Sequence, residues 1–204
     1  MAYSEHVKLF MSGVIQWNEW RTQDSTLSPD LSGIDAAKMD LRGMNLSNAI
    51  LNKANLFDAN LEKAHMARTY LHGANLAQAN LAGADLSKAD LTMAMLSNTN
   101  LTGACLHEAV LNAADLSKRI FRNMDLSGAN FYQAKLEEVD FSGANLEEAI
   151  FSEAKLHMAN FMGANIKGAN FMNADLREAY LKDCDLTGVT LTGANLQSAY
   201  LPTR

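Results

Sequence analysis

Proline is almost absent from this chain. The only two, Pro29 and Pro202, bracket everything between residues 30 and 201, as expected of a segment in which every backbone N–H is needed by a ladder. Long apolar runs are missing too. None approaches 18 residues, and the first ten carry Glu5 and His6 before any apolar stretch, so no membrane partner, membrane span or secretory signal is expected, and a cytoplasmic location follows. Positive charge is not in excess: the formal net charge is −6, against the basic footprint of a nucleic-acid binder. Cysteine is scarce, with Cys105 and Cys184 alone, and both are read as reduced thiols.

What the chain has instead is a period of five. From Leu31 to Leu196, each fifth residue is Leu or Phe, with Ala36, Met66 and Ile166 the only exceptions. Two residues before most of these centres stands a small residue, usually Ala, and one residue before stands Asn or Asp in most blocks. Every glycine but Gly13 falls two residues after a centre. A period of five fits neither a helix nor a long strand. It fits a chain that turns a corner every five residues, sending the centre and the small residue inward and the other three outward. Glycine then marks the tight turn, and Asn or Asp the place where a short polar side chain bonds the local backbone.

The segments Ala54-Asn55-Leu56, Ala84-Asp85-Leu86, Ala144-Asn145-Leu146 and Ala194-Asn195-Leu196 resemble the A-(D/N)-L-x-x signature of the pentapeptide-repeat family. That resemblance implies an all-β fold, a right-handed quadrilateral parallel β-helix with four pentapeptides per turn and about 8.5 coils spaced roughly 4.8 Å apart. Residues 1–30 are expected to form a helical cap and linker, and residues 31–204 the solenoid. On a 20-residue turn, Phe121, Phe141 and Phe161 should stack on one side of the core and Phe131, Phe151 and Phe171 on the opposite side. Cys105 falls in an outward slot and Cys184 in an inward one about four coils away, beyond disulfide reach.

Open ends of a stacked array need covers. Val7, Phe10, Met11, Val14, Trp17 and Arg21 follow helical spacing, so one amphipathic N-terminal capping α-helix is expected over Ser4 to Arg21, with Ser4 as N-cap. It would lie on a first coil with enlarged inward residues Ile34, Met39 and Met44; the alternative use of its aromatic residues is a partner-binding arm. After Leu201 only Pro202, Thr203 and Arg204 remain, and a homodimer through the C-terminal coil would cover that end. One inward slot holds Arg119. A buried guanidinium is expensive, so a bulge around Ser117 to Phe121 is expected to release it to solvent.

With the inward slots assigned, function must be sought in outward exceptions. The face centred on Leu51, Leu71, Leu91, Leu111, Phe131, Phe151 and Phe171 shows Ile50, Tyr70, His72, Met93, Val110, Tyr132, Ile150 and Met172 where polar residues are usual. This is a candidate protein-binding face, or a set of side chains that pair well along a ladder. On another face His65, Asp85 and Cys105 share one slot in successive coils, with His107 close by, but His65 and Cys105 are two coils or roughly 10 Å apart, too far for joint coordination or direct activation. The glycines are turn residues without the strand-to-helix step of a phosphate cradle. No catalytic residue, metal or cofactor is therefore expected.

The reading that follows is a non-catalytic protein-binding or scaffold protein with an unidentified protein partner. The family resemblance implies an alternative, a DNA mimic that binds type II topoisomerase (gyrase) and confers quinolone protection, which would need dense negative charge. Residues 31–120 carry eight acids and eight bases, and residues 121–204 eleven and seven, a sparse supply for such a mimic. The Trp17-Asn18-Glu19-Trp20-Arg21 lead-in before Pro29-Asp30-Leu31 is similar to the starts of repeat proteins abundant in cyanobacteria, most of them without a known role.

Overall fold

The computed structural model describes residues 3–24 and 26–202. The chain falls into two compact units, residues 1–105 and 106–204, and the boundary expected at residue 30 lies inside the first. Both are built from the same right-handed square coil, and the five-residue register never slips. Within each block the centre accepts a hydrogen bond from the residue three positions on, as Ala54 N donates to Leu51 O at 3.0 Å, closing a β-turn. The third residue of that turn has positive φ, +58° at Lys53 and +64° at Gly73. Glycine is the default there because it lacks the Cβ penalty.

One residue per side then pairs with the next coil. In unit 1 (residues 1–105) the four parallel ladders run Asp30–Ile50–Tyr70–Asp90, Asp35–Asn55–Asn75–Met95, Asp40–Asn60–Asn80–Asn100 and Asn45–His65–Asp85–Cys105. In unit 2 (residues 106–204) they include Val110–Asn130–Ile150–Asn170–Thr190 and Ile120–Asp140–Asn160–Tyr180–Tyr200. Each rung is one residue with a turn on either side, so pairing occurs as isolated bridges. The bonds are well formed: Leu51 N donates to Tyr70 O at 2.7 Å, and Tyr70 N to Ala49 O at 2.9 Å. The Asn and Asp of the ladders act locally and between coils. Asn75 Oδ1 accepts from Ala77 N at 3.1 Å, while its amide donates to Asn55 Oδ1 at 3.3 Å.

The inward centres and alanines are buried except in the last coil. In unit 2 the expected phenylalanine columns are present, with Phe131, Phe151 and Phe171 stacked at 4.9 Å and nearly parallel and Phe121, Phe141 and Phe161 stacked at 5.4 and 5.3 Å. The two columns meet edge to face, Phe141 against Phe151 at 5.7 Å, the arrangement that ring quadrupoles favour. Cys184 is buried against Phe161 O at 3.0 Å, and burial pushes its thiol up to about 11.

The cap is helical, but two helices replace the single one expected: α1, Ser4–Met11, and α2, Val14–Arg21. Between them Gly13 takes φ +101°, which ends helical continuity, so the apolar stripe is not carried through. Phe10, Trp17 and Arg21 are buried, while Met11 is turned out. Ser4 is the first helical residue, preceded by Tyr3 without a side-chain cap bond. Helix α2 meets the open backbone edge of the first coil: Trp17 Nε1 donates to Asn45 O at 2.7 Å, Asn18 Nδ2 to Gly43 O at 3.0 Å, and Arg21 to Ser47 O at 2.8 Å, while Asn45 N donates to Asn18 Oδ1 at 2.8 Å.

The expected bulge at Arg119 is not formed. Arg119 N donates to Leu116 O at 3.2 Å, Asp140 N donates to Arg119 O at 2.8 Å, and Ile120 pairs with Asp140 in the ladder. The side chain is half-buried; burial lowers its pKa and the Asp115 carboxylate opposes that shift. A long apolar stem can occupy the slot while the guanidinium reaches outward, so the backbone has no need to distort. At the other end of unit 2, Leu186, Leu191 and Leu196 are half-buried and Leu201 is exposed. Thr203 and Arg204, expected to leave that coil uncovered, lie outside the described residues.

Candidate protein-binding face

The ladder logic explains why the candidate side chains stand out. An Asn or Asp at the rung turns back onto the backbone two residues on, as Asp90 Oδ1 does in accepting from Thr92 N at 3.0 Å. Ile50, Tyr70, Val110 and Ile150 occupy the same slot and have no such bond to make, so their side chains project. In unit 1, Ile50 and Tyr70 are consecutive rungs of one ladder. Tyr70 and Met93 are exposed, at 49% and 61%, while Ile50 and His72 are half-buried; His72 N donates to Asn52 Oδ1 at 3.1 Å. In unit 2, Val110 and Ile150 flank Asn130 on one ladder. Tyr132, Ile150 and Met172 are exposed at about two-fifths of their surface and Val110 is half-buried. The Tyr132 hydroxyl reaches Glu153 at 3.4 Å.

A second apolar cluster in unit 2 was not singled out by the sequence reading. Met158, Asn160, Met162 and Tyr180 line a shallow cleft of about 320 Å³, and Tyr180 stacks on Tyr200 at 4.4 Å. The signal was present, since Tyr180 and Tyr200 replace Asn or Asp at a rung 20 residues apart. It was diluted by the polar residues elsewhere on that side. In unit 1 a broader depression of about 500 Å³ is lined by Val14, Asp40, Arg42, Gly43, Glu62 and Lys63, where Arg42 is held by Asp40 at 2.7 Å.

The polar constellations resolve differently from their spacing. His65, Asp85 and Cys105 sit on successive rungs of one unit 1 ladder, which keeps the imidazole and the thiol two rungs apart. Among the described residues no three His, Cys, Asp or Glu side chains converge as a metal site. In unit 2, His107 lies between Glu108, at 2.9 Å from Nε2, and Ser127 Oγ, at 2.8 Å from Nδ1. The serine hydroxyl also donates to Asp125 Oδ1 at 2.7 Å. That second bond holds the carboxyl of Asp125 below the usual carboxylate range and leaves Ser127 tied into the turn. No helix among the described residues is long and apolar enough to cross a membrane.

A square parallel coil closed by one-residue rungs and type-specific turns defines a pentapeptide solenoid. The family signature for a pentapeptide repeat region matches residues 114–191, that for pentapeptide repeats in eight copies matches residues 30–62 and 64–103, and the chain belongs to the pentapeptide-repeat family. It is similar to the crystal structure of HetL, a pentapeptide repeat protein involved in heterocyst differentiation regulation in the cyanobacterium Nostoc sp. strain PCC 7120, with 26% identity, a TM-score of 0.51, and 98% of this chain and 94% of that one covered. QnrB1, a plasmid-mediated fluoroquinolone resistance protein, matches at 20% identity and a TM-score of 0.48 over 84% of this chain and 88% of that one. Rfr23, a pentapeptide repeat protein from the cyanobacterium Cyanothece 51142, matches at 26% identity and a TM-score of 0.24 over 48% of this chain and 86% of that one. Superpositions at the last two scores carry nothing over to this chain. No functionally curated protein matches it.

Proposed function

We propose that this protein is a non-catalytic binding or scaffold protein, and that the apolar face is where its protein partner docks. The observation that carries this reading is the exposure of Tyr70 and Met93 in unit 1 and of Tyr132, Ile150 and Met172 in unit 2, outward slots that the fold elsewhere fills mostly with polar or small residues. Aromatic residues and methionine supply contact area with adaptable shape, the composition favoured at binding surfaces. The likeness to HetL, a protein involved in heterocyst differentiation regulation, fits a regulatory role. Tyr70→Lys together with Tyr132→Lys alters two outward side chains and no inward slot, so the fold should remain and partners captured from native lysate should be lost; unchanged capture would discard the face.

The alternative, a DNA mimic acting on gyrase, calls for a run of carboxylates. The turns of unit 1 instead present Lys38, Lys53, Lys63, Arg68 and Lys88, which disfavours it. Inhibition or protection of DNA supercoiling by the purified chain would revive that reading.

A further inference from the structure

The apolar face is flanked by charge of opposite sign in the two units. The charged residues at the positive-φ position of the turns are exposed to solvent. In unit 1 that position carries Lys38, Lys53, Lys63, Arg68 and Lys88 against one acid, Asp58. In unit 2 the same position carries Glu108, Glu138, Glu148, Glu153, Glu178 and Asp183 against one base, Lys118. At the turn positions beside the apolar face the segregation is complete, although the unit 1 ladder itself carries Asp30 and Asp90. Arg68 stands two residues before Tyr70, Lys88 two before Asp90, and Lys53 in the turn after Ile50. In unit 2, Glu108 stands two residues before Val110, Glu148 two before Ile150, and Glu153 in the turn that follows.

We infer that the apolar face of unit 1 docks on the apolar face of unit 2 in a second copy of this chain, with Lys53, Arg68 and Lys88 set against Glu108, Glu148 and Glu153. This rests on the reading that the face binds protein, and it names the partner. Each copy offers both halves of the contact, so the chain can self-associate through it. A single exposed ion pair adds little. Here Ile50, Tyr70 and Met93 against Tyr132, Ile150 and Met172 would supply the affinity, and the charges would steer the encounter and exclude like-with-like pairing of faces.

Charge reversal tests it. The triple variants K53E/R68E/K88E and E108K/E148K/E153K use residue types that the same turn position already carries elsewhere in the chain, so both should fold, and circular dichroism melts confirm that. By sedimentation equilibrium the wild-type chain should self-associate, roughly tenfold more weakly at about 0.5 M than at about 0.05 M salt because exposed charges are screened. Each variant alone should be monomeric, and an equimolar mixture of the two should pair again. A wild-type chain monomeric at both salts, self-association that survives both reversals, or a mixture that fails to pair overturns the inference. So does self-association lost on Leu201→Arg but kept in the reversals, which would place the contact at the last coil. A monomer whose captured partner is still lost in the Tyr70→Lys/Tyr132→Lys chain overturns the self-pairing while leaving the binding face in place.

Discussion

At Ala113 the backbone holds φ +55°, a conformation that penalises any Cβ, and alanine has no polar group to bond the turn in return. Ala113→Gly should therefore raise stability by about 0.5–1 kcal/mol in a denaturant titration; an unchanged midpoint would contradict the strain. The ladder aspartates give a pH dependence. Asp125 and Asp175 are held below the usual carboxylate range chiefly by bonds from Ser127 and from Arg177. At Asp140 burial pushes the other way, but Ser142 and Arg122 outweigh it. A depressed folded pKa stabilises above the unfolded value, near 3.9, and that contribution is lost as pH falls through the folded one. Unfolding midpoints should be flat from about pH 5 to 7 and drop below about pH 4; a midpoint that rises on acidification would exclude the mechanism. At this scale the inward slots were legible because Leu, Phe and Ala recur in register with few exceptions. The turn strain was legible only through glycine, since Lys, Glu and Met in the same slot look like ordinary surface residues. Arg119 misled for the opposite reason: its charge is visible in sequence, while the freedom of its stem is not.

Among elements, the phenylalanine columns follow directly from a 20-residue turn, and their geometry is now fixed by stacking at 4.9 Å along one column and edge contacts across the core. Phe151 touches Phe131, Phe171, Phe141 and Phe161, so Phe151→Ala should destabilise by about 3–5 kcal/mol, measured by chemical denaturation; a loss near zero would mean that the column does not pack as described. The cap was only half legible. Helical spacing revealed an apolar stripe, but the stripe said nothing of Gly13, whose φ of +101° divides it into α1 and α2. Nor could periodicity reveal that Trp17, Asn18 and Arg21 act through hydrogen bonds to the first coil's carbonyls, because those contacts join a helix face to an unpaired ladder edge that exists only in three dimensions. The Met158–Tyr180 cleft escaped for a related reason, since its residues come from a turn, the residue after a centre and a rung.

For the whole molecule, net charge conceals what matters. A value of −6 excludes little, yet the turn positions separate bases in unit 1 from acids in unit 2, a pattern visible in sequence only after those positions are known to share one exposed turn slot. The central claim is that the apolar face, and not the Met158–Met162 cleft, meets a protein. Thioether oxidation follows solvent access, and the molecule carries its own controls: Met93 and Met172 lie on the face, Met158 and Met162 off it, and all four are exposed in the isolated chain. Peroxide footprinting of the bound chain against the isolated one reads the contact directly. Protection of Met93 and Met172 with continued oxidation of Met158 and Met162 is the expected result, and protection confined to Met158 and Met162 would contradict it.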